Sequence, residues 1–145
     1  MRPPPLAELL VSAGSYPAEF VKDMRKIDAA LPEGLPRVDR LTPSSAHRAL
    51  ACALSLACQT QNIANIELGR AGILAMPTKW VAARIVPVAM AVLDFGDEWE
   101  FRRFLELLGL LDRGLARAFI AGVKVGLAED LREAADDVLV ILGDG

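Results

Sequence analysis

The sequence predicts an all-α protein, and three observations carry that prediction. Apolar residues recur at helical spacing in almost every segment after residue 42. Several of those segments open on a capping residue, notably Thr42, Asp97 and Asp112. One segment is also echoed: the acidic start and amphipathic run of residues 96–111 return at 128–142, with Phe101-Arg102 answered by Leu131-Arg132 at an offset of 30 residues. A period of that size is the mark of a stacked repeat.

The first element follows the proline run Pro3-Pro4-Pro5. Leu6, Leu9, Leu10 and Ala13 fall on one side of a short helix, and Gly14 is suited to end it. Pro17 fits the first turn of a second helix, along which Phe20, Val21, Met24, Ile27 and Leu31 share a face. Pro32-Glu33-Gly34-Leu35-Pro36 should stop that helix, and the stretch to Leu41 reads as an extended linker lying against the body.

From Thr42 the apolar density rises. Thr42 is a natural cap and Pro43 a natural first helical residue, so a leading helix is expected over 44–57, rich in alanine and leucine and buried on much of its circumference. The polar turn Gln59-Thr60-Gln61-Asn62 separates it from a trailing helix at 63–76. Met76-Pro77-Thr78 resets the chain, with Thr78 as cap. A second leading helix over 79–93 should be kinked by Pro87. Its trailing partner is 97–111. Asp112 then caps a third leading helix, to about residue 127, and 129–142 trails it.

Pro87 in a leading helix, Asp97 in the following turn and Arg103 in the trailing helix resemble, in order and spacing, the proline, aspartate and arginine of HEAT repeats, and 129–135 is similar to a trailing helix of that class. The likeness covers about residues 43–142. It departs from the pattern where Asn65 and Gly69 stand in the first hairpin, and the third leading helix has no proline. The resemblance implies a short right-handed α-solenoid of about three antiparallel helical hairpins, with two N-terminal capping helices. Such a fold carries many activities, so it implies little about function.

At 145 residues the chain suits one domain, residues 1–145, with 1–41 as N-terminal helices and linker and 42–145 as repeats. Apolar residues make up 53% and mean hydropathy is +0.33, which points to a possible homodimer face. The net charge of −3 conceals a gradient: neutral over 1–43, +3 over 44–93 and −6 over 94–145. With no basic run, nucleic acid is not an expected partner. No stretch suits a membrane span and no signal peptide is evident. Cys52 and Cys58, six apart in one helix and so about 9 Å apart, are beyond disulfide reach and read as thiols of a reducing, cytoplasmic setting.

His47 is the sole histidine, and no phosphate loop or nucleophile motif accompanies it, so neither catalytic residues, cofactor nor metal is expected. The acids Asp97, Glu98, Glu129 and Asp130 sit where helix N-termini favour negative charge. Glu98, Arg102 and Glu106 form an i+4 row. Asn62, Asn65, Gly69 and Gly72 share one face of a neighbouring helix, where two glycines cost about 1 kcal/mol each relative to alanine and require compensation by close packing or by a bound chain. Gly122 and Gly126 read as packing positions. The expected function is a non-enzymatic scaffold or adaptor that binds a protein or peptide through Asn62, Asn65, Arg70, Glu98, Arg102, Arg103 and Glu106. The alternative is a ligand-binding or lyase-like enzyme with a pocket near His47, Cys52 and Gln61, between the N-terminal helices and the first hairpin.

Overall fold

The alanine-rich segment after Thr42 becomes the centre of the molecule. In the computed structural model, which describes residues 2–12 and 14–143, this segment is α3 (Pro43–Ala57), and Ala46, Ala49, Leu50, Ala53, Leu54 and Ala57 are buried along it. Small side chains on several faces let other helices approach closely from several directions. Before α3 come α1 (Leu6–Leu10), α2 (Ser15–Ile27) and a 3-10 turn, Leu35–Arg40. After it come α4 (Ile63–Ala75), α5 (Thr78–Ala82), α6 (Ile85–Val92), α7 (Glu98–Leu111), α8 (Arg113–Val123), a second 3-10 turn at Lys124–Gly126 and α9 (Glu129–Leu142). The fold is all-helical, with no strand among the described residues. No described helix is long and apolar enough to cross a membrane.

Alpha3 packs most extensively on α4 and also meets α2, α6, α7 and the first 3-10 turn. A second group is built on α7, which lies against both α8 and α9. Phe95, Phe101, Phe104 and Phe119 join α7 to α8 with ring centroids 5.2–6.1 Å apart. The two groups share one core, since a single cluster of buried side chains runs from Phe20 to Leu142.

The expected caps at three helices form as anticipated. Thr42 Oγ1 accepts from the Ser45 N–H at 3.2 Å, Asp97 Oδ1 from Trp99 and Glu100 at 2.9 and 3.1 Å, and Asp112 Oδ1 from Leu115 at 3.0 Å. Each satisfies a donor that the helix start leaves open. Other boundaries differ from expectation. Alpha1 ends at Leu10, and Gly14, at φ +137°, precedes α2 rather than closing α1; Ala13 lies outside the described residues. Alpha2 stops at Ile27, so Leu31 reaches the core from the following turn. The expected linker is instead 3-10 structure, kinked at Arg37 (φ −121°, ψ 27°), and its Leu35 and Val38 become fully buried.

Thr78 is the first residue of α5, not its cap. The predicted kink at Pro87 appears as a complete break three to four residues earlier, at Ala83 and Arg84. A proline ring collides with the carbonyl four residues back and offers that carbonyl no N–H. Breaking at Ala83 places Pro87 in the first turn of α6, where neither penalty applies.

Gly69 resolves the question of the glycine face. A Cβ there would fall on the backbone of Ala53 and Ala57 in α3, so the residue is a contact between two helix backbones. Gly72 is looser, with Phe20 Cζ 3.3 Å from the same imagined atom. Gly122 and Gly126 are exposed and a Cβ would meet nothing within 4 Å, which corrects their reading as packing positions. Urea unfolding should therefore separate two alanine variants. Gly69→Ala is expected to destabilise by about 2–3 kcal/mol through overpacking, while Gly122→Ala is expected to stabilise by up to about 1 kcal/mol.

Candidate functional site

The residues expected to bind fall into three clusters around α7. In the first, Arg70 of α4 extends to α7 and its Nη2 donates to Glu106 Oε1 at 2.8 Å, while Arg103 Nη1 donates to the same oxygen at 3.3 Å. Arg70 was expected on an exposed face. It is the one buried charged residue among those described, at 9% exposure. Its neighbour Gly69 is pressed onto α3, which turns the Arg70 side chain inward toward α7. Two guanidiniums sharing one carboxylate leave the cluster with an excess positive charge.

In the second cluster, Arg102 donates to Asp137 Oδ2 of α9 at 2.9 Å and to Glu98 Oε2 at 3.5 Å. Partial burial works against the Arg102 charge, but the bonds and attraction from Asp137 and Glu98 outweigh it and its pKa is raised. The Glu98–Arg102–Glu106 row is thus divided between two neighbours: Arg102 ties α7 to α9, and Glu106 ties it to α4. The third cluster is the turn before α4. Asn62 adopts a left-handed φ of +77°, which asparagine tolerates, and its Oδ1 accepts from the Asn65 N–H at 3.2 Å. Asn65 Nδ2 donates to Gln59 Oε1 at 3.4 Å.

Trp99, which the expected set omits, lies between the first and second clusters. It is 50% exposed, and the guanidinium carbons of Arg102 and Arg103 stand 5.6 and 5.8 Å from its ring. Both are within cation–π range. Trp99, Arg103 and Asp97 wall a cleft of about 410 Å³ with Thr60 and Gln61. A second cleft, about 440 Å³, continues from Thr60 and Gln61 to Cys58, Asn62 and Glu100. The signal for this site was available in sequence, since Arg102 and Arg103 follow Trp99 at i+3 and i+4 and must share its helix face.

No family model, curated protein or solved structure matches this chain. Its own geometry therefore carries the functional reading.

The residues of the alternative pocket are not brought together. His47 lines a cavity with Trp80 and Arg84, Cys52 faces the Asp23 side of α2, and Gln61 belongs to the clefts beside Trp99. Both thiols are held protonated. Burial and then Asp23 raise the Cys52 pKa; burial pushes Cys58 up to about 12 against the opposing pull of Arg70. Neither thiol is an activated nucleophile. Among the described residues no group of histidine, cysteine or acidic side chains is placed to hold a metal ion.

Two measurements check this electrostatic picture. Glu106→Ala strands the buried Arg70 charge and is expected to cost about 3 kcal/mol in urea unfolding, whereas Glu33→Ala, which breaks the exposed pair with Arg25, should cost under about 1 kcal/mol. Cys58 in the native chain should alkylate far more slowly at mildly alkaline pH than in the unfolded chain. Because its folded pKa is the higher one, stability present below the ordinary thiol value of 9.0 is lost as pH rises toward about 12.

Proposed function

We propose that the chain is a non-enzymatic protein- or peptide-binding module whose contact face is the Trp99 platform and the clefts beside it. The carrying observation is an indole half open to solvent yet held in place by two guanidiniums that are themselves tied to α4 and α9 through Glu106 and Asp137. A pre-set aromatic ring loses little entropy on binding, and tryptophan and arginine are the side chains most enriched at interface hot spots. The adjoining cleft offers the amide of Gln61 and the hydroxyl of Thr60, which can bond an extended main chain laid across the ring. Of the expected set, Arg102, Arg103, Glu98 and Glu106 act by holding this platform, and Asn62 and Asn65 by shaping the turn that borders it. Arg70 contributes from beneath.

The architecture is read with it as a short right-handed α-solenoid of three HEAT-like hairpins capped by α1 and α2. The packing of α7 on α9 and of α3 on α6, trailing with trailing and leading with leading, supports that reading. Peptides selected from a random display library on the full chain provide the test. Their dissociation constants are expected to rise about 30-fold on Trp99→Ala. Binders that ignore both Trp99→Ala and Arg103→Ala would remove this surface from consideration.

A further inference from the structure

The break that Pro87 forces between α5 and α6 opens a cavity of about 430 Å³ against α3 and the first 3-10 turn. Its floor is apolar and largely closed to solvent: Leu50 is fully buried, and Ala46 and Val88 nearly so. Its rim carries three side chains of quite different chemistry, Asp39 from the 3-10 turn, His47 from α3 and Arg84 from the break itself. A small apolar cavity with a few convergent polar groups is the usual form of a small-molecule site.

The rim groups are largely uncommitted. Neither Asp39 nor His47 has a side-chain hydrogen bond or ion pair among the described residues. Arg84 donates one bond, from Nη1 to the Trp80 carbonyl at 3.1 Å, and its guanidinium carbon lies 4.9 Å from the Trp80 ring centroid. That stacking orients the planar fork while leaving donors for a ligand. Asp39 and Arg84, opposite in sign, border one cavity without pairing with each other. Arg25, Arg70, Arg102 and Arg103 are each paired with an acid, while Arg113 and Arg132, like Arg84, donate to main-chain carbonyls.

We propose that this cavity binds a small zwitterion with a hydrophobic body, of the size and kind of an aromatic or branched amino acid. The body fills the space over Leu50 and Val88, beside the Trp80 wall. The carboxylate meets Arg84, with His47 as a second polar contact, and the ammonium meets Asp39. A volume of about 430 Å³ is enough to hold one such molecule, and a ligand with only one charge leaves the other rim group unmatched. The site shares no residue with the Trp99 platform, and neither proposal depends on the other.

Three probes separate the contributions: L-phenylalanine, 3-phenylpropionate, which lacks the amine, and phenethylamine, which lacks the carboxylate. Each is titrated into the full-length ¹⁵N-labelled protein while the Trp80 indole N–H resonance is followed. L-phenylalanine is expected to give saturable shifts and the lowest dissociation constant. Arg84→Gln should weaken it by about tenfold or more and leave phenethylamine unaffected, and Asp39→Asn should weaken phenethylamine and leave 3-phenylpropionate unaffected. The two substitutions lie on exposed rim positions of different elements, and the unaltered protein alone decides whether any probe binds. Absence of saturable shifts with all three, or affinities indifferent to both substitutions, overturns the proposal. Equal affinity for L-phenylalanine and either single-charge probe overturns the zwitterion assignment.

Discussion

At Gly69 the backbone of α4 lies directly on that of α3, and no other residue can stand there without moving one of the two helices. Much of the architecture follows from this close approach. It fixes the rotation of α4 about its own axis, so that the next residue, Arg70, is turned into the protein instead of toward solvent. A guanidinium in that position needs a carboxylate, because an unpaired buried charge is far more costly than a paired one. Glu106 provides it, and α7 is thereby held against the first pair of helices by a charged contact as well as by apolar packing. The glycine is costly in an isolated helix, and the compensation is this contact.

Alpha7 has apolar and charged faces with separate tasks. Phe101, Phe104, Leu105, Leu107 and Leu108 enter the core, while Glu98, Arg102, Arg103 and Glu106 reach sideways to α9 and α4. A row of alternating charge along a helix is ordinarily a solvated face of small energetic value. Here each charge has a specific neighbour, and the Nε–H groups of Arg102 and Arg103 are buried without a protein partner, so the row holds more donors than it uses. The positions of these two arginines hold the Trp99 ring at the surface.

Both tryptophans stand beside an arginine one helical turn later, Trp80 with Arg84 and Trp99 with Arg103, and both pairs border a concavity. The two surroundings differ. Around Trp80 the floor is apolar and the rim charges are not paired with each other. Around Trp99 the cleft is open, polar and continuous with a second one, which suits a longer chain.

Much of the helical content and the cap chemistry was legible in the sequence, because those features depend on residues within one turn of one another. Thr42, Asp97 and Asp112 close helix starts by local hydrogen bonds, and the apolar spacing of α3, α7 and α9 reports their buried faces regardless of what covers them. Pro87 announced a disruption but not its position, which depends on where the chain can turn. The 3-10 turn at Leu35–Arg40 was hidden among prolines, since its stability comes from burying Leu35 and Val38 in a core made by distant helices. The site lay still further from view. Arg70 finds Glu106 across 36 residues and Arg102 finds Asp137 across 35, and Asp39, His47 and Arg84 meet only because three separate elements surround one cavity. The sequence by itself determined which segments are helices and where several of them begin. Only the tertiary structure decided which charges are paired and which are left free, because that depends on distances between helices that no local pattern encodes.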